Sequence, residues 1–249
     1  MRPDTRSSPL WSAPQASSIY PEYLTDLNVA ACPSDSGGDP GWLSVLARVP
    51  DDGGDFRSWQ EAARAAEDAE SLDYYQTAEL GRSYVYKGYV TSSIPEFYGF
   101  WGASTVNAIV GSATILNLGQ VHVKDYSKDL ALDAGPWPVW VPGPPAATGT
   151  SGGDRVLRLR DGIERFLVTD INNPAAGARA QSELPVFWDT FGSSEFSDNE
   201  AGTVTFNHLP GGCNVLYMDG HVEFIRYPGR FPIVDDGQVV KENSHYGLG

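Results

Sequence analysis

Basic residues are scarce in this chain of 249 residues. It has 17 Lys and Arg against 32 Asp and Glu, which gives a formal net charge of −15. We therefore expect no nucleic-acid partner, because binding to phosphates needs clustered Lys and Arg. The charge leaves cations as candidate partners, and in itself it is a common way of keeping a protein soluble.

Long hydrophobic runs are also missing. A membrane-spanning helix needs about 18 or more apolar residues in succession. The most apolar stretch, from Phe97 to Leu118, is interrupted by Ser104, Thr105 and Asn107. The N-terminal MRPDTRSSPLWSAP has no hydrophobic signal core. These residues therefore show no targeting signal. We expect the protein to be cytoplasmic, or its export segment to lie outside this sequence.

Cysteine occurs only twice, at Cys32 and Cys213. In an oxidising compartment the two could form a disulfide between the N-terminal segment and the C-terminal region, and closing so long a loop would stabilise the fold by about 5 kcal/mol. The alternative is two buried free thiols. The sequence leaves both open.

The composition that remains is that of a folded protein rich in loops. Hydrophobic residues make up 41% and aromatic residues 12%, and there are 27 Gly and 18 Pro. We expect one globular domain over residues 1–249, of the α+β class, in which an antiparallel β-sheet carries packed helices and long loops.

Periodicity and propensity predict the main elements. Helices are predicted from Phe56 to about Glu70 and from about Ser104 to Leu118. A further helix is predicted where four apolar residues share one helical face, namely Ile163, Phe166, Leu167 and Ile171. Strands are predicted from Ser83 to Val90 and from Leu184 to Asp189.

A Pro- and Gly-rich surface loop is predicted at about 135–154. It contains Trp137 and Trp140. Exposed tryptophans could bind a carbohydrate or another surface. The interpretation we favour is that they fix the loop to the body of the domain.

The stretch FNHLPGGCNVLYMDGHVEFIRYPG, from Phe206 to Gly229, predicts a β-hairpin turning at Asp219-Gly220. This dipeptide between alternating residues favours a type I′ turn, in which both central residues have positive φ. In the second strand Val222 and Phe224 form an apolar set opposite His221 and Glu223. The turn alone explains Asp219.

Several ordered segments resemble one family. His208, followed by Gly-Gly and a hairpin with Asp219-Gly220-His221, resembles the H-x9-D-G module of planctomycete-type prepilin-like and pseudopilin-like proteins. YPEYLTDLNVAACPSD and SYVYKGYV resemble their upstream segments, and RDGIERFLVTDINNPAAGARAQSELPVFWDT resembles their middle. The resemblance covers about 20–233, with the hairpin module at about 204–233.

Two features depart from the family pattern. Ten residues rather than nine separate His208 from Asp219, an insertion that the Leu209-Pro210 loop could absorb. The family also begins with a leader and a long hydrophobic helix used for anchoring and assembly, and this sequence does not contain them. We therefore expect these residues to be the globular head.

The resemblance implies a structural, non-enzymatic protein. It would be the globular head of a pseudopilin-like subunit in a type II secretion or type IV pilus-like assembly, at the cell envelope or outside the cell. Its partners would be other pilin-like subunits, and it would reach a membrane only through an N-terminal helix. The motif residues would be structural: His208, Gly212, Asp219, Gly220 and His221.

Two metal hypotheses come from the residue types. Hard cations take carboxylate and carbonyl oxygens, so calcium could bind loop residues, namely Asp170, Asn172, Asp189 and Asp198. A metal-dependent enzyme using His208, His221 and Glu223 is an alternative function. No HExxH or paired CxxC motif supports it. A carbohydrate- or surface-binding module using Trp137 and Trp140 is a second alternative.

Overall fold

A computed structural model describes residues 13–34, 56–81, 83–109, 128–133, 137, 142–167, 181–193, 204–237 and 239. The helices are α1 (Ala16–Ile19), α2 (Phe56–Ala65), α3 (Ala69–Leu80) and α4 (Ile94–Ile109), with 3-10 turns at Leu27–Ala30, Thr150–Gly152 and Ile163–Phe166. The strands are β1 (Tyr84–Val85), β2 (Leu130–Ala131), β3 (Arg155–Val156), β4 (Pro185–Asp189), β5 (Phe191–Ser193), β6 (Val204–Phe206), β7 (Gly212–Tyr217) and β8 (Val222–Arg226).

The central element is an antiparallel four-stranded sheet in the order β1-β4-β7-β8. One face of this sheet is buried and carries Val85, Trp188, Val215 and Ile225. Two two-stranded sheets, β2-β3 and β5-β6, complete the strands of the described residues. The fold is therefore α+β, as the sequence predicts.

The C-terminal segment links α4 to the buried face of the sheet. The ring of Phe231 lies 6.0 Å from Phe97 of α4 and 6.5 Å from Trp188 of β4, in edge-on arrangements that aromatic pairs favour. Tyr98 of α4 donates a hydrogen bond to the carboxylate of Asp236 at 2.8 Å. These contacts close the core around the hairpin.

The predicted helix from Phe56 to Glu70 ends earlier than the composition indicates. It stops at Ala65, and Glu67 takes a left-handed φ of 54°. Asp68 then accepts hydrogen bonds from the backbone of Glu70 and Ser71, both at 3.1 Å, and so starts α3. Asp68, within an Ala- and Glu-rich stretch, is the residue in the sequence that indicates the start of this second helix.

The predicted helix from Ser104 to Leu118 begins ten residues earlier, at Ile94. Glu96 accepts hydrogen bonds from Ser92 N at 2.7 Å and Ser92 Oγ at 2.8 Å, which satisfies donors ahead of the first turn. Pro95 also suits a first turn, because no helical hydrogen bond is lost there. Residues 110–118 of the prediction lie outside the described residues.

Three other predictions need different bounds. The strand from Ser83 to Val90 is reduced to β1, because Gly88 at a φ of 72° interrupts the extended backbone. The helical face that starts at Ile163 becomes a single 3-10 turn, and Ile171 lies outside the described residues. The strand from Leu184 to Asp189 is confirmed as β4, which starts at Pro185.

The hairpin is confirmed, but its predicted type I′ turn is wrong. Gly220 N donates to Tyr217 O at 2.9 Å, and Tyr217 N donates to His221 O at 3.0 Å. Only Gly220 in the turn has a positive φ, 91°. This is a three-residue loop, in which a turn is followed by a glycine in the left-handed region. The apolar set is also exposed, since β8 buries Ile225 instead of Val222 and Phe224.

In the part of the chain that the structure describes, we find no helix with the length and apolar character needed to span a bilayer.

Candidate functional site

His208 holds a buried carboxylate just ahead of the hairpin. Its Nε2 atom lies 3.1 Å from Oδ2 of Asp189, whose side chain is 3% exposed. The same carboxylate oxygen accepts hydrogen bonds from the backbone N of Asn214 at 2.6 Å and from its Nδ2 at 2.9 Å. Asp189 ends β4 and Asn214 lies in β7, so this network joins two neighbouring strands to the loop between β6 and β7.

The N-terminal segment reaches the same point. Sγ of Cys32 lies 3.7 Å from Nε2 of His208. The backbone N of Cys32 donates to Oγ of Ser83 at 3.0 Å, immediately before β1. Because Cys32 and Ser83 are both buried, the segment is fixed against the end of the sheet at this contact.

Cys32, His208 and Asp189 do not have the geometry of a catalytic triad. In such triads one ring nitrogen of the histidine faces the nucleophile and the other faces the carboxylate. Here both neighbours meet the same nitrogen, Nε2. An ionised carboxylate can only accept a hydrogen bond, so a hydrogen bond between His208 and Asp189 requires the proton on Nε2. That nitrogen is then not available to take a proton from Cys32.

The second cysteine is deeper in the fold. Cys213 is fully buried in β7, and both cysteines are free thiols in the structure. Burial and, to a lesser extent, the negative charge of Asp189 raise the pKa of the Cys213 thiol far above its ordinary value. Its thiolate is therefore strongly disfavoured. Of the two alternatives left open by the sequence, the structure has the free thiols.

At the other end of the hairpin, His221 closes the turn. Its backbone N donates to Oδ1 of Asp219 at 3.1 Å, and its Nδ1 lies 2.5 Å from the same oxygen. These hydrogen bonds hold the pKa of Asp219 below its usual value. The imidazole also stacks on the ring of Tyr217, with centroids 4.5 Å apart and planes at 5°.

Glu223 has a separate partner. It forms an ion pair with Arg230, whose Nε also donates to Oη of Tyr217 at 3.1 Å. The guanidinium lies 5.4 Å from the centroid of the Tyr217 ring. Sequence patterns did not indicate this cluster, because Arg230 returns to the strand only after the chain has turned beyond β8.

The alternative metal-dependent site is therefore not assembled in the structure. His208 bridges to Gly212 at the start of β7, and His221 follows the turn after Tyr217. Five residue steps of strand, about 17 Å, separate these ends. Among the described residues, there is no group of three or more His, Cys, Asp or Glu suited to holding a metal ion.

The calcium hypothesis stays a prediction. Asp170, Asn172 and Asp198 lie outside the described residues. Asp189, the fourth candidate, is buried and engaged by His208 and Asn214. Melting temperatures measured with calcium and then with a chelator test the hypothesis, and an unchanged melting temperature would remove it.

Trp137 contacts the body of the domain. Its Nε1 donates to the carbonyl O of Leu132 at 3.0 Å, and a Cβ added to Gly102 of α4 would lie 2.2 Å from its Cε3 atom. The ring thus packs closely on the helix backbone, as the favoured interpretation predicts. Trp140 lies outside the described residues.

Two motif glycines have distinct structural reasons. A Cβ at Gly212 would lie 2.3 Å from the carbonyl O of Ile225, so β8 passes too close for any side chain. Gly220 has open space around it, and its φ of 91° is the constraint. The Asp-Gly pair in the sequence predicts the constraint at Gly220, whereas the constraint at Gly212 depends on how β7 and β8 pack.

No protein-family model, curated protein or solved structure matches this chain. The pseudopilin resemblance therefore rests on the sequence segments quoted above.

Proposed function

We propose that this chain is a non-enzymatic structural protein, the globular head of a pseudopilin-like subunit in a type II secretion or type IV pilus-like assembly of the cell envelope. The observation that supports it is the position of His208. The histidine of the motif is bound to Asp189 and contacts Cys32, and so acts as a clamp between chain segments.

The other polar residues of the hairpin support the same proposal. His221 is bound to Asp219 and Glu223 to Arg230, at the opposite end of β7 from His208. Each of the three candidate metal ligands, His208, His221 and Glu223, thus has a structural partner of its own. A rigid hairpin held at both ends suits a protein whose task is to present a surface to neighbouring subunits.

The partners would be other pilin-like subunits, as the resemblance implies. Heads that each carry −15 repel one another. Assembly would therefore need an attraction that offsets this repulsion. The hydrophobic helix by which this family is anchored could supply it, or bound cations could.

The test uses the full-length protein, tagged and expressed from its own gene. Cells are fractionated, intact assemblies are cross-linked, and the cross-linked partners are identified by mass spectrometry. We expect the protein in the envelope or extracellular fraction, cross-linked to pilin-like proteins. Recovery as a soluble monomer without such cross-links would contradict the proposal.

The carbohydrate-binding alternative has less support. Trp137 uses its ring to pack on α4 and its indole N–H to bond Leu132. A glycan-array experiment with a variant lacking both Trp137 and Trp140 would distinguish the two functions. Binding that depends on both tryptophans would favour the module over the filament head.

A further inference from the structure

Strand β8 is an outer strand of the four-stranded sheet. Tyr217 N donates to His221 O at 3.0 Å, and Tyr227 N donates to Gly211 O at 3.2 Å. In an antiparallel ladder, hydrogen-bonded pairs alternate with pairs that are not hydrogen-bonded. The backbone groups of His221, Glu223 and Ile225 therefore face β7, and those of Val222, Phe224 and Arg226 face outward. We call these three residues the β8 edge.

The β8 edge is exposed and partly apolar. Val222 is 61% exposed and Phe224 39% exposed, and Arg226 is exposed as well. Within the described residues, no strand pairs with the outer side of β8. Edge strands are usually protected by short length, charged side chains, Pro or a bulge. β8 carries Glu223 and Arg226, but it contains no Pro, and its register with β7 is regular from Val222 to Arg226.

We propose that the β8 edge pairs, antiparallel, with the β8 edge of a second copy of this chain, around a two-fold axis at Phe224. An interface of this kind uses the same surface on both copies. This inference is independent of the proposed function, because it rests only on the strand.

Hydrogen-bond geometry selects the register. The axis can pass through a hydrogen-bonded pair, at Val222, Phe224 or Arg226, or through a pair that is not hydrogen-bonded, at Glu223 or Ile225. At Glu223 it would place two carboxylates opposite each other, which is unfavourable. At Ile225 it would set Val222 opposite Pro228, which has no N–H to donate. At Arg226 it would place two guanidinium groups opposite each other, which is unfavourable. At Val222 most of the strand would lie beyond the overlap, because the hairpin turn comes just before it. At Phe224 the whole strand overlaps, with Phe224 opposite Phe224.

Charge in this register favours a second copy as the occupant. Val222 lies opposite Arg226 of the other copy, and no like charges are directly opposed. Glu223, the acidic residue of β8, is already paired with Arg230. Although the chain carries −15 overall, β8 itself is balanced by Glu223 and Arg226. The strand is thus neutral in itself, so it adds no repulsion of its own between copies.

The first test introduces like charges at the axis. Phe224→Lys places two ammonium groups opposite each other and removes the aromatic pair. Leu209→Lys is the matched control, because Leu209 is 96% exposed and lies in the loop before β7, outside β8. The mass of the purified chain is measured by sedimentation over a concentration series, and circular dichroism checks that each variant is folded. We expect a concentration-dependent dimer whose dissociation constant rises about tenfold or more in Phe224→Lys alone.

The second test examines the register. In Phe224→Cys the opposed Cα atoms would be about 5.5 Å apart, within disulfide range. In Arg226→Cys they would be displaced by four residue steps along the strand, about 14 Å. Mild oxidation should give covalent dimers of the first variant and not of the second. The parent chain, with Cys32 and Cys213 both buried, is the background control.

Three results would overturn the proposal: a monomer at all concentrations, a dimer that survives Phe224→Lys, or equal cross-linking of the two cysteine variants. A monomeric chain that captures an unrelated extended peptide at β8 would also overturn it, because the edge would then serve a different partner.

Discussion

Nε2 of His208 lies 3.1 Å from Oδ2 of Asp189, although 18 residues and two strands separate them in the sequence. The carboxylate is buried and also receives two hydrogen bonds from Asn214. A buried carboxylate is stable only when it is fully hydrogen-bonded. The histidine of the motif therefore supplies the third of three contacts to Oδ2 of Asp189.

Removing the imidazole should destabilise the fold. His208→Ala takes one partner from a buried carboxylate, and we expect a loss of about 1–3 kcal/mol in the free energy of unfolding. His221→Ala is the matched control, because its ring is more exposed and Asp219 remains in water. We expect little change there. Urea unfolding of both variants measures the difference, and equal losses would show that the Asp189 contact has no special weight.

Local patterns predicted the elements whose signals lie within a few residues. The hairpin followed from Asp219-Gly220, and β4 from a run of apolar and aromatic residues. The sequence predicts a structural role for His208 but not its partner. It places Asp189 among the loop carboxylates that could bind calcium, because the position of Asp189 beside Asn214 depends on how β4 and β7 pair. Contacts across strands have no signature in a single sequence.

The same limit explains the face of β8 that is buried. Alternation identifies two faces but not which of them meets the core. Val222 and Phe224 are the more apolar set, yet Ile225 is the residue that packs with Val215. The pairing with β7 and the return of the chain through Ile233 decide the outcome, and both lie beyond the strand itself.

The glycines of the hairpin should respond to substitution in graded order. Gly212→Ala places a Cβ 2.3 Å from the backbone of β8 and should cost several kcal/mol, about 3 or more, because backbone must move. Gly220→Ala meets no atom within 4 Å and should cost about 1 kcal/mol, from its positive φ alone. Gly237→Ala, with neither constraint, is the control. Thermal unfolding of the three checks this order, and a larger loss at Gly220 would contradict it.

Alkaline pH should weaken the segment after β8. Burial, then the hydrogen bond from Tyr227 Oη to Asp235 at 2.7 Å, raises the pKa of Tyr227 to about 12. The folded chain thus holds this proton more tightly than the unfolded chain, where the pKa is 10.0. The stability from this difference is present below pH 10 and is lost as the pH rises to about 12.

Tyr227→Phe removes that ionisation, so its stability should fall less steeply between pH 10 and 12 than that of the parent chain. Tyr23→Phe is the control, since Tyr23 is 79% exposed. Urea unfolding at several pH values gives both slopes. Identical slopes for the parent and Tyr227→Phe would show that neither burial nor the contact with Asp235 raises the pKa of Tyr227 in the folded chain.

The state of Cys32 and Cys213 can be counted directly. With free thiols, unfolding the unreduced protein in the presence of iodoacetamide should add two labels, whereas a disulfide between the cysteines would add none. Before unfolding we expect almost no labelling at Cys213, because alkylation needs a thiolate and burial raises the pKa of this thiol. Peptide mass spectrometry separates the two positions. Rapid labelling of Cys213 in the folded chain would mean that β7 opens far more readily than its place in the core implies, and the clamp formed by Asp189 and His208 beside it would then be weaker than its geometry indicates.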